Sequence, residues 1–432
     1  MNASGEKLNG ILLLYHHQIA KNASTIMEHV NAFAQHSKFP VWRVNTELGF
    51  PPFLDKLSFS VILLHYSLFG VPFCIGPRFM RYLENHRDTY RIVFLQDEYR
   101  YWPERKEFLN HMNIDCVYTL VEPDYFDITY RRVTSVPKLV YQLPGYVSLH
   151  IEDMARRYTK PDSQRTVDIG YRGRRLPYYL GRGSQEKHII GVEFKKRAEA
   201  LGLTTDIETE ENKRIYGTSW PEFLANCKAV LGVEAGVSIF DIDDEVRPQY
   251  AKIVTGHPDV SFPDCSFEEV SRTILAPYED NVYYRTISPR HFEAAALRTT
   301  QILFEGKYSG ILQPMRHYIP LKKDFSNFDE VIKMFSDASL RKQITDNAYN
   351  DLIASRKYTY EKMVEEFDRD LASVGIEPGE DRKKVERVDR ALYNDRYRQI
   401  FTKVWSVSRH KEFPGRNLLK PIIKPIFQKL GI

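Results

Sequence analysis

The chain contains no apolar run long enough to cross a bilayer. Its first, "ILLLY" at 11–15, stops at His16 and His17, and nothing later approaches the ~18 residues that a span requires. That run is also too short for the core of a secretory leader, so a cytoplasmic protein is expected. Cysteine is scarce: Cys74, Cys116, Cys227 and Cys265 lie tens of residues apart, which spells neither a zinc ribbon nor a disulfide framework and predicts reduced thiols. Neither sign of charge dominates. With 61 basic against 57 acidic side chains and a net charge of +4, bulk electrostatics excludes a nucleic-acid coat, and any basic site has to be local. A dinucleotide-binding glycine fingerprint is missing after the first strand, where "YHHQIAKNAS" stands instead, which argues against a nicotinamide-linked oxidoreductase. There is no internal repeat and no low-complexity segment.

What is present is a rhythm. Over 432 residues, 43% of them apolar, short aliphatic runs alternate with amphipathic stretches: "GILLLY", "FPVWRVN", "SVILLHY", "RIVFLQD" and "CVYTLV" in the first part, then "TVDIGYRG", "TTDIE", "KAVLGVEAG" and "TTQILFEG". Apolar runs of four to eight residues between helical patterns predict parallel α/β units. Thr25 with Glu28 reads as the capping box of the first helix. Between them, "HIEDMARRYTKPDSQRT" is a charged helix and a Pro-Asp-Ser turn, the composition of a linker. The expected organisation is a first doubly wound domain over 1–155, a second over 165–375, and a tail over 376–432. From Lys403 onward the tail holds seven basic residues against one acidic residue, with Pro421 and Pro425 interrupting any continuous helix. Two readings of it stand: peripheral contact with an anionic membrane, or docking on the protein body.

In open α/β sheets ligands bind beyond the carboxyl ends of the strands, so the residues there carry the functional reading. After "VDIGY" come Arg172, Arg174 and Arg175, then Arg182 and Lys187, with glycines that permit close backbone approach. Guanidinium forks and a following helix N-terminus suit a diphosphate. Glu234 and Ser238 follow "AVLGV" and reach the same rim. Ser288 and Pro289 open a helix as N-cap and N1, which sets Glu293 just beyond its first turn with Arg290 and His291 beside it. A carboxylate in the apolar run "HFEAAAL" needs a partner, and a ribose diol is an apt one. "FDIDDE", with Asp241, Asp243 and Asp244, offers either a metal-binding Asp-x-Asp or a loop turn.

The run "RHFEAAALRTTQILFEG", with the arginine loop upstream and "YTYEKMVEEFDRDL" downstream, resembles the donor domain of GT-B glycosyltransferases, in the group-1, retaining-type branch with its spore-maturation-like relatives. The resemblance covers most of 165–375. It implies a GT-B fold of two Rossmann-like, doubly wound α/β domains facing across a cleft. It also implies that Glu293 holds the nucleotide ribose, as the second member of a pair of glutamates separated by seven residues. Arg285 occupies the first position, a departure that leaves the sugar contact open. Arg172 and Arg174 would hold the donor diphosphate, with Lys187 beside them, and Glu305, His317 and Tyr318 would line the sugar pocket. Acceptor binding then falls to the first domain, where His16, His65, Tyr66, Asp97 and Glu98 follow strands, with Glu98 and His16 preferred for general-base work. The expected activity is glycosyl transfer from a nucleotide-sugar donor to a glycan or lipid-linked acceptor, without metal or cofactor and without nucleic acid as partner. Retention of configuration rests on the resemblance. A non-catalytic protein of the same fold is the alternative.

Overall fold

A computed structural model describes residues 6–17, 24–70 and 72–393. In the first half, β1 (Glu6–Tyr15), α1 (Ser24–His36), β2 (Val41–Asn45) and β3 (Leu57–Leu64) are followed by α2 (Pro77–Asn85) and β4 (Tyr90–Phe94). Then come α3 (Trp102–His111), β5 (Cys116–Thr119), β6 (Lys138–Tyr141) and α4 (Leu149–Tyr158). Its six strands form one parallel sheet in the order β2-β1-β3-β4-β5-β6. Such a sheet is buried on both faces, which is why its strands read as nearly unbroken aliphatic runs.

The second half runs β7 (Val167–Arg172), α5 (Arg182–Ala200), β8 (Thr205–Glu208), α6 (Ser219–Asn226) and β9 (Cys227–Gly232). A short β10 (Ala235–Val237) then opens an excursion through α7 (Val246–Ala251) and α8 (Phe267–Val270) that returns as β11 (Tyr284–Thr286), antiparallel to β10. After it come α9 (Pro289–Ala296), β12 (Thr300–Phe304), β13 (Ile319–Leu321), α10 (Phe328–Ser336) and α11 (Ala338–Ala348). The second parallel sheet has the order β13-β12-β9-β7-β8.

The nine aliphatic runs fall on β1 to β5, β7, β8, β9 and β12. Strands β6, "KLVY", and β13, "IPL", are not among them. Helix α1 begins at Ser24, so Thr25 lies inside the helix and is not its cap. The last described helices return to the first sheet. Tyr360, Met363, Val364 and Phe367 of α12 (Tyr360–Ala372) pack with Ile11, Leu13, Val61 and Phe94. In α13 (Arg382–Tyr393), Val388 and Leu392 join the cluster on the other face of that sheet. No helix among the described residues is long and apolar enough to cross a membrane. The basic tail from Lys403 lies outside the described residues.

Candidate functional site

In the second sheet the chain steps from β7 outward to β8 and then back across to β9, so the strand order reverses between β7 and β9. A crevice opens beyond the carboxyl ends of strands at such a point. Here it is a cavity of about 240 Å³, lined by Tyr171 to Arg174 at the end of β7, Gly232 to Ala235 at the end of β9, Trp220 and Phe223 of α6, Lys187 of α5, and Ser288, Arg290 and His291 at the start of α9. Gly173 is required where the loop after β7 passes α5: a Cβ there would stand 2.6 Å from the Lys187 carbonyl oxygen.

One wall is a stack of two rings between two cations. The Arg290 guanidinium lies 4.8 Å from the centre of the Trp220 ring, Trp220 stacks on Phe223 at 5.6 Å, and Arg172 lies 4.4 Å from the other ring. The Trp220 indole N–H donates to Oε2 of Glu293 at 2.7 Å. Burial pushes the Glu293 carboxyl up, against the pull of Trp220 and Arg290. The sequence shows a lone carboxylate; the structure supplies an aromatic partner 73 residues away.

Three cations converge on the opening. Arg174 is exposed and only loosely paired with Glu211, at 3.9 Å. Arg290 is exposed and donates to the Arg172 carbonyl at 2.6 Å. Lys187 donates to the Gly236 carbonyl at 3.1 Å. Burial lowers the Lys187 ammonium to about 8, an effect that Asp97 opposes and that Arg174 and Arg290 reinforce. His291 is buried at the cavity wall, its Nδ1 accepting the Ser288 N–H at 3.0 Å, and burial keeps the ring neutral with a pKa of about 3. Glu234 is buried and accepts from the Tyr283 hydroxyl at 2.7 Å and the Tyr308 N–H at 2.8 Å; burial pushes its carboxyl up.

Other expected site residues turn out to be engaged elsewhere. Arg172 faces the edge strand, where its guanidinium donates to the Asp206 carbonyl at 2.8 Å and the Asp206 carboxylate at 2.7 Å, so it is not a free phosphate ligand. The N-terminus of α5 is also taken: Gly183 N–H donates to Ser238 Oγ at 2.8 Å and Arg182 N–H to Glu279 at 2.9 Å. Ser238 is therefore a buried support for that helix and not a donor contact. His317 is buried against Asp351 at 2.9 Å, and Tyr318 packs 5.5 Å from Tyr308 in the core, so neither lines the cavity. Glu305 is exposed beyond β12 and is not among the lining residues. Asp241 accepts the first N–H groups of α7, from Glu245 at 2.9 Å and Arg247 at 3.0 Å, which is loop-turn chemistry.

Searches with this sequence match no family model and no curated protein. Solved structures do match in chain path. One is TarM, 13% identical over 71% of this chain, with a TM-score of 0.38; the chain spans about half of it, 53%. An alpha-glucosyltransferase in complex with UDP-glucose and DNA is 10% identical, with 85% of this chain and 100% of that one covered and a TM-score of 0.49. Sucrose-phosphate synthase from Thermosynechococcus elongatus is 11% identical, with 86% and 99% covered and a TM-score of 0.43. This chain has two parallel, doubly wound sheets, the arrangement that the resemblance to GT-B glycosyltransferases implies.

On the first half of that fold the expected acceptor residues divide. Tyr66 and Asp97 line a second cavity, of about 250 Å³, with Ser67, Gln96 and Arg100 at the ends of β3 and β4. Asp97 carries a positive φ of 53°, a conformation in which a non-glycine residue is strained. His65 is fully buried, its Nδ1 on the Ser67 hydroxyl at 2.8 Å, and burial with the nearby His29 keeps it neutral, so it cannot meet an acceptor. Glu98 is fully buried too. It receives hydroxyls from Thr119, from Tyr130 at 3.1 Å and from Tyr284 at 3.0 Å, so no acceptor in the cleft can reach it; burial also raises its pKa. His16 is a cation: Nε2 faces the Glu47 carboxylate at 3.1 Å, and Nδ1 faces the Thr46 hydroxyl at 3.1 Å, whose own proton goes to the Cys74 carbonyl. Both ring nitrogens therefore donate. Burial works against the charge, but the Cys74 side chain and the Glu47 carboxylate outweigh it and raise the pKa to about 9, so a general base it is not.

Proposed function

We propose that this chain transfers a glycosyl group from a nucleotide-sugar donor to an acceptor hydroxyl. The observation that carries the reading is the convergence of Arg174, Lys187 and Arg290 on a cavity walled by Trp220 and Phe223; Glu293 is not itself a lining residue but lies directly behind Trp220, hydrogen-bonded to its indole. Flat aromatic rings suit a nucleobase, the half-buried carboxylate of Glu293 suits a ribose diol, and the cations suit a diphosphate. Glu234 and His291, which also line the cavity, would contact the donor sugar. In the reaction the anomeric carbon loses its bond to the diphosphate oxygen and gains one to the acceptor oxygen, while the acceptor proton leaves with a base or with the departing diphosphate. Negative charge grows on that diphosphate, and fixed cations stabilise it in the transition state. Their presence supports departure without a metal. The acceptor, a glycan or lipid-linked alcohol, would approach from the first half, beside Tyr66 and Asp97. Retention of configuration rests on the family resemblance, whereas a cytoplasmic site of action with the basic tail at a membrane surface rests on the composition of the sequence.

A second reading is favoured by Arg285, which takes the place where the resemblance expects a sugar-facing glutamate. It is nearly buried and pairs with Asp280 at 2.8 Å and Glu186 at 3.7 Å. A binding protein without turnover would retain everything else. Incubating the pure protein with a panel of nucleotide sugars, with and without EDTA, separates the two. Release of nucleoside diphosphate that EDTA leaves unchanged is the expected result; tight nucleotide binding with no release from any donor would establish the second reading.

A further inference from the structure

Two segments carry the backbone between the halves, and they pair with each other: Val147 N–H donates to the Tyr358 carbonyl at 2.7 Å and Tyr360 N–H to the Val147 carbonyl at 3.1 Å. Alone, such a narrow crossing would serve as a pivot. The excursion between β10 and β11 is the second connection, and it belongs to the second half only by sequence. Its Phe240, Tyr250 and Leu275 share one apolar cluster with Leu12, Leu64 and Val93 of the first sheet. Side chains alternate across a strand, so Leu12 and Leu64 face away from the side on which α12 meets Leu13 and Leu63. Chain from beyond the crossing thus covers both faces of the first sheet.

The seam is specific as well as apolar. On the first-half side it is the turn after β4, residues 98–102. Phe240 lies 5.8 Å from Trp102 and Tyr284 lies 5.3 Å from Tyr99, ring to ring. Asp241 N–H donates to the Tyr99 carbonyl at 2.8 Å, and the Tyr284 hydroxyl donates to the buried Glu98 at 3.0 Å. Asp259 gathers the rest. It accepts from Tyr101 of the first half at 3.0 Å, and from Tyr179 at 2.7 Å and Arg247 at 2.9 Å of the second, with Arg100 at 3.7 Å. Burial alone would raise this carboxyl, but the Arg247 and Tyr179 hydrogen bonds hold it below the usual range. Any swing of the halves about the crossing would have to pull Asp259 off two partners and leave the fully buried Glu98 short of a donor.

We infer that residues 238–284 are a clasp that holds the two halves at one separation even when the cleft is empty. The inference goes beyond the proposed activity and is independent of it, since it concerns how the halves are joined and not what they bind. The clasp also fixes Arg100 and Tyr101, which wall the first-half cavity, so its rigidity is passed to that surface.

Spin labels test this directly on the unliganded full chain. In a background of Cys74→Ser and Cys265→Ser, labels are placed through Arg81→Cys on α2 and Lys196→Cys on α5, both exposed, and the distance between them is measured by pulsed electron resonance. The expected result is a single narrow peak, which broadens or splits toward longer distance when Asp259→Asn and Tyr284→Phe are combined. Tyr101→Phe, which removes one hydroxyl from the seam, is the milder variant and should broaden the peak less; it keeps the test open if the double variant loses its native circular dichroism. A broad or two-peaked distribution in the parent protein would overturn the clasp, and so would folded variants that retain the parent's narrow peak.

Discussion

At the scale of single residues, charge state separates the groups of this cleft more sharply than residue type does. Lys187 titrates at about 8 in the empty site. An arriving diphosphate would stabilise its protonated form, so the complex binds more protons than the free protein above that pH. Nucleotide affinity should therefore fall as pH rises through about 8, with a slope approaching about tenfold per pH unit, which calorimetric titration in two buffers would read both as weaker binding and as proton uptake. A flat profile from pH 7 to 9.5 would place the diphosphate away from Lys187. The His16 pKa is shifted the other way, up from the ordinary 6.5 to about 9, so the stability it contributes is complete below pH 6.5 and is likewise lost as pH rises through 9. Its ring proton resonances should titrate near 9, and Glu47→Gln should bring the midpoint down. Replacing Glu293 by Gln keeps an acceptor for Trp220 but removes the charge, and nucleotide affinity should weaken by about 1.5–3 kcal/mol, or roughly 10- to 100-fold. Sequence places all three side chains correctly at strand ends or helix starts. It does not show that His16 has two acceptors around it, or that Trp220 is what Glu293 holds, because those partners are brought together by the fold from 30 to 73 positions away.

At the scale of elements, the aliphatic runs identify strands because a strand inside a parallel sheet is apolar on both faces, whatever its neighbours are. They do not identify which loop atoms reach the strand ends. Glu98, Ser238 and His317 all follow the right strands or loops, and each is captured by a local need: Glu98 by three hydroxyls, Ser238 by the first turn of α5, His317 by Asp351. Arg172 is captured in the same way. Strand β8 pairs with β7 so that Asp206 sits opposite Gly170, within reach of a guanidinium two residues on. Arg172→Ala should accordingly reduce the denaturation midpoint more than turnover, whereas Arg174→Ala should reduce turnover and leave the midpoint in place. "FDIDDE" is decided by the same logic. Asp241 is buried and accepts the N–H groups of Glu245, Val246 and Arg247, so Asp241→Ala strips the start of α7 of its acceptor. A loss of about 2 kcal/mol is expected in urea denaturation. If the variant kept full stability and instead made the activity dependent on added divalent cation, the metal reading of that loop would be restored.

At the scale of the whole molecule, the order of the sequence and the order of the packing diverge. The apolar period of "YTYEKMVEEFDRDL" predicts an amphipathic helix, and α12 is one, but nothing in the stretch says that its apolar face belongs to a sheet that begins more than 340 residues earlier. Tyr360, Met363, Val364, Phe367 and Leu371 are all buried there, together with Ile11, Leu13, Val61, Leu63 and Phe94. At about 1.5–3 kcal/mol for each buried side chain, five of them supply on the order of 10 kcal/mol, the size of the net stability of an entire domain at about 5–15 kcal/mol. Ending the chain at Arg356 should therefore unfold the first half while leaving the second sheet, β7 to β13, with its own core clusters intact. Limited proteolysis followed by mass mapping would then show cleavage spread across residues 6–141 and protection across 167–354. The graded form of the experiment is Phe367→Ala, a cavity in the same face, with an expected loss of about 3–5 kcal/mol and native secondary structure retained. Protection of the first half in the shortened chain would mean that α12 merely rests on a sheet that is stable without it, and the continuity of the two halves would then lie in the seam beside Glu98 and Asp259 alone.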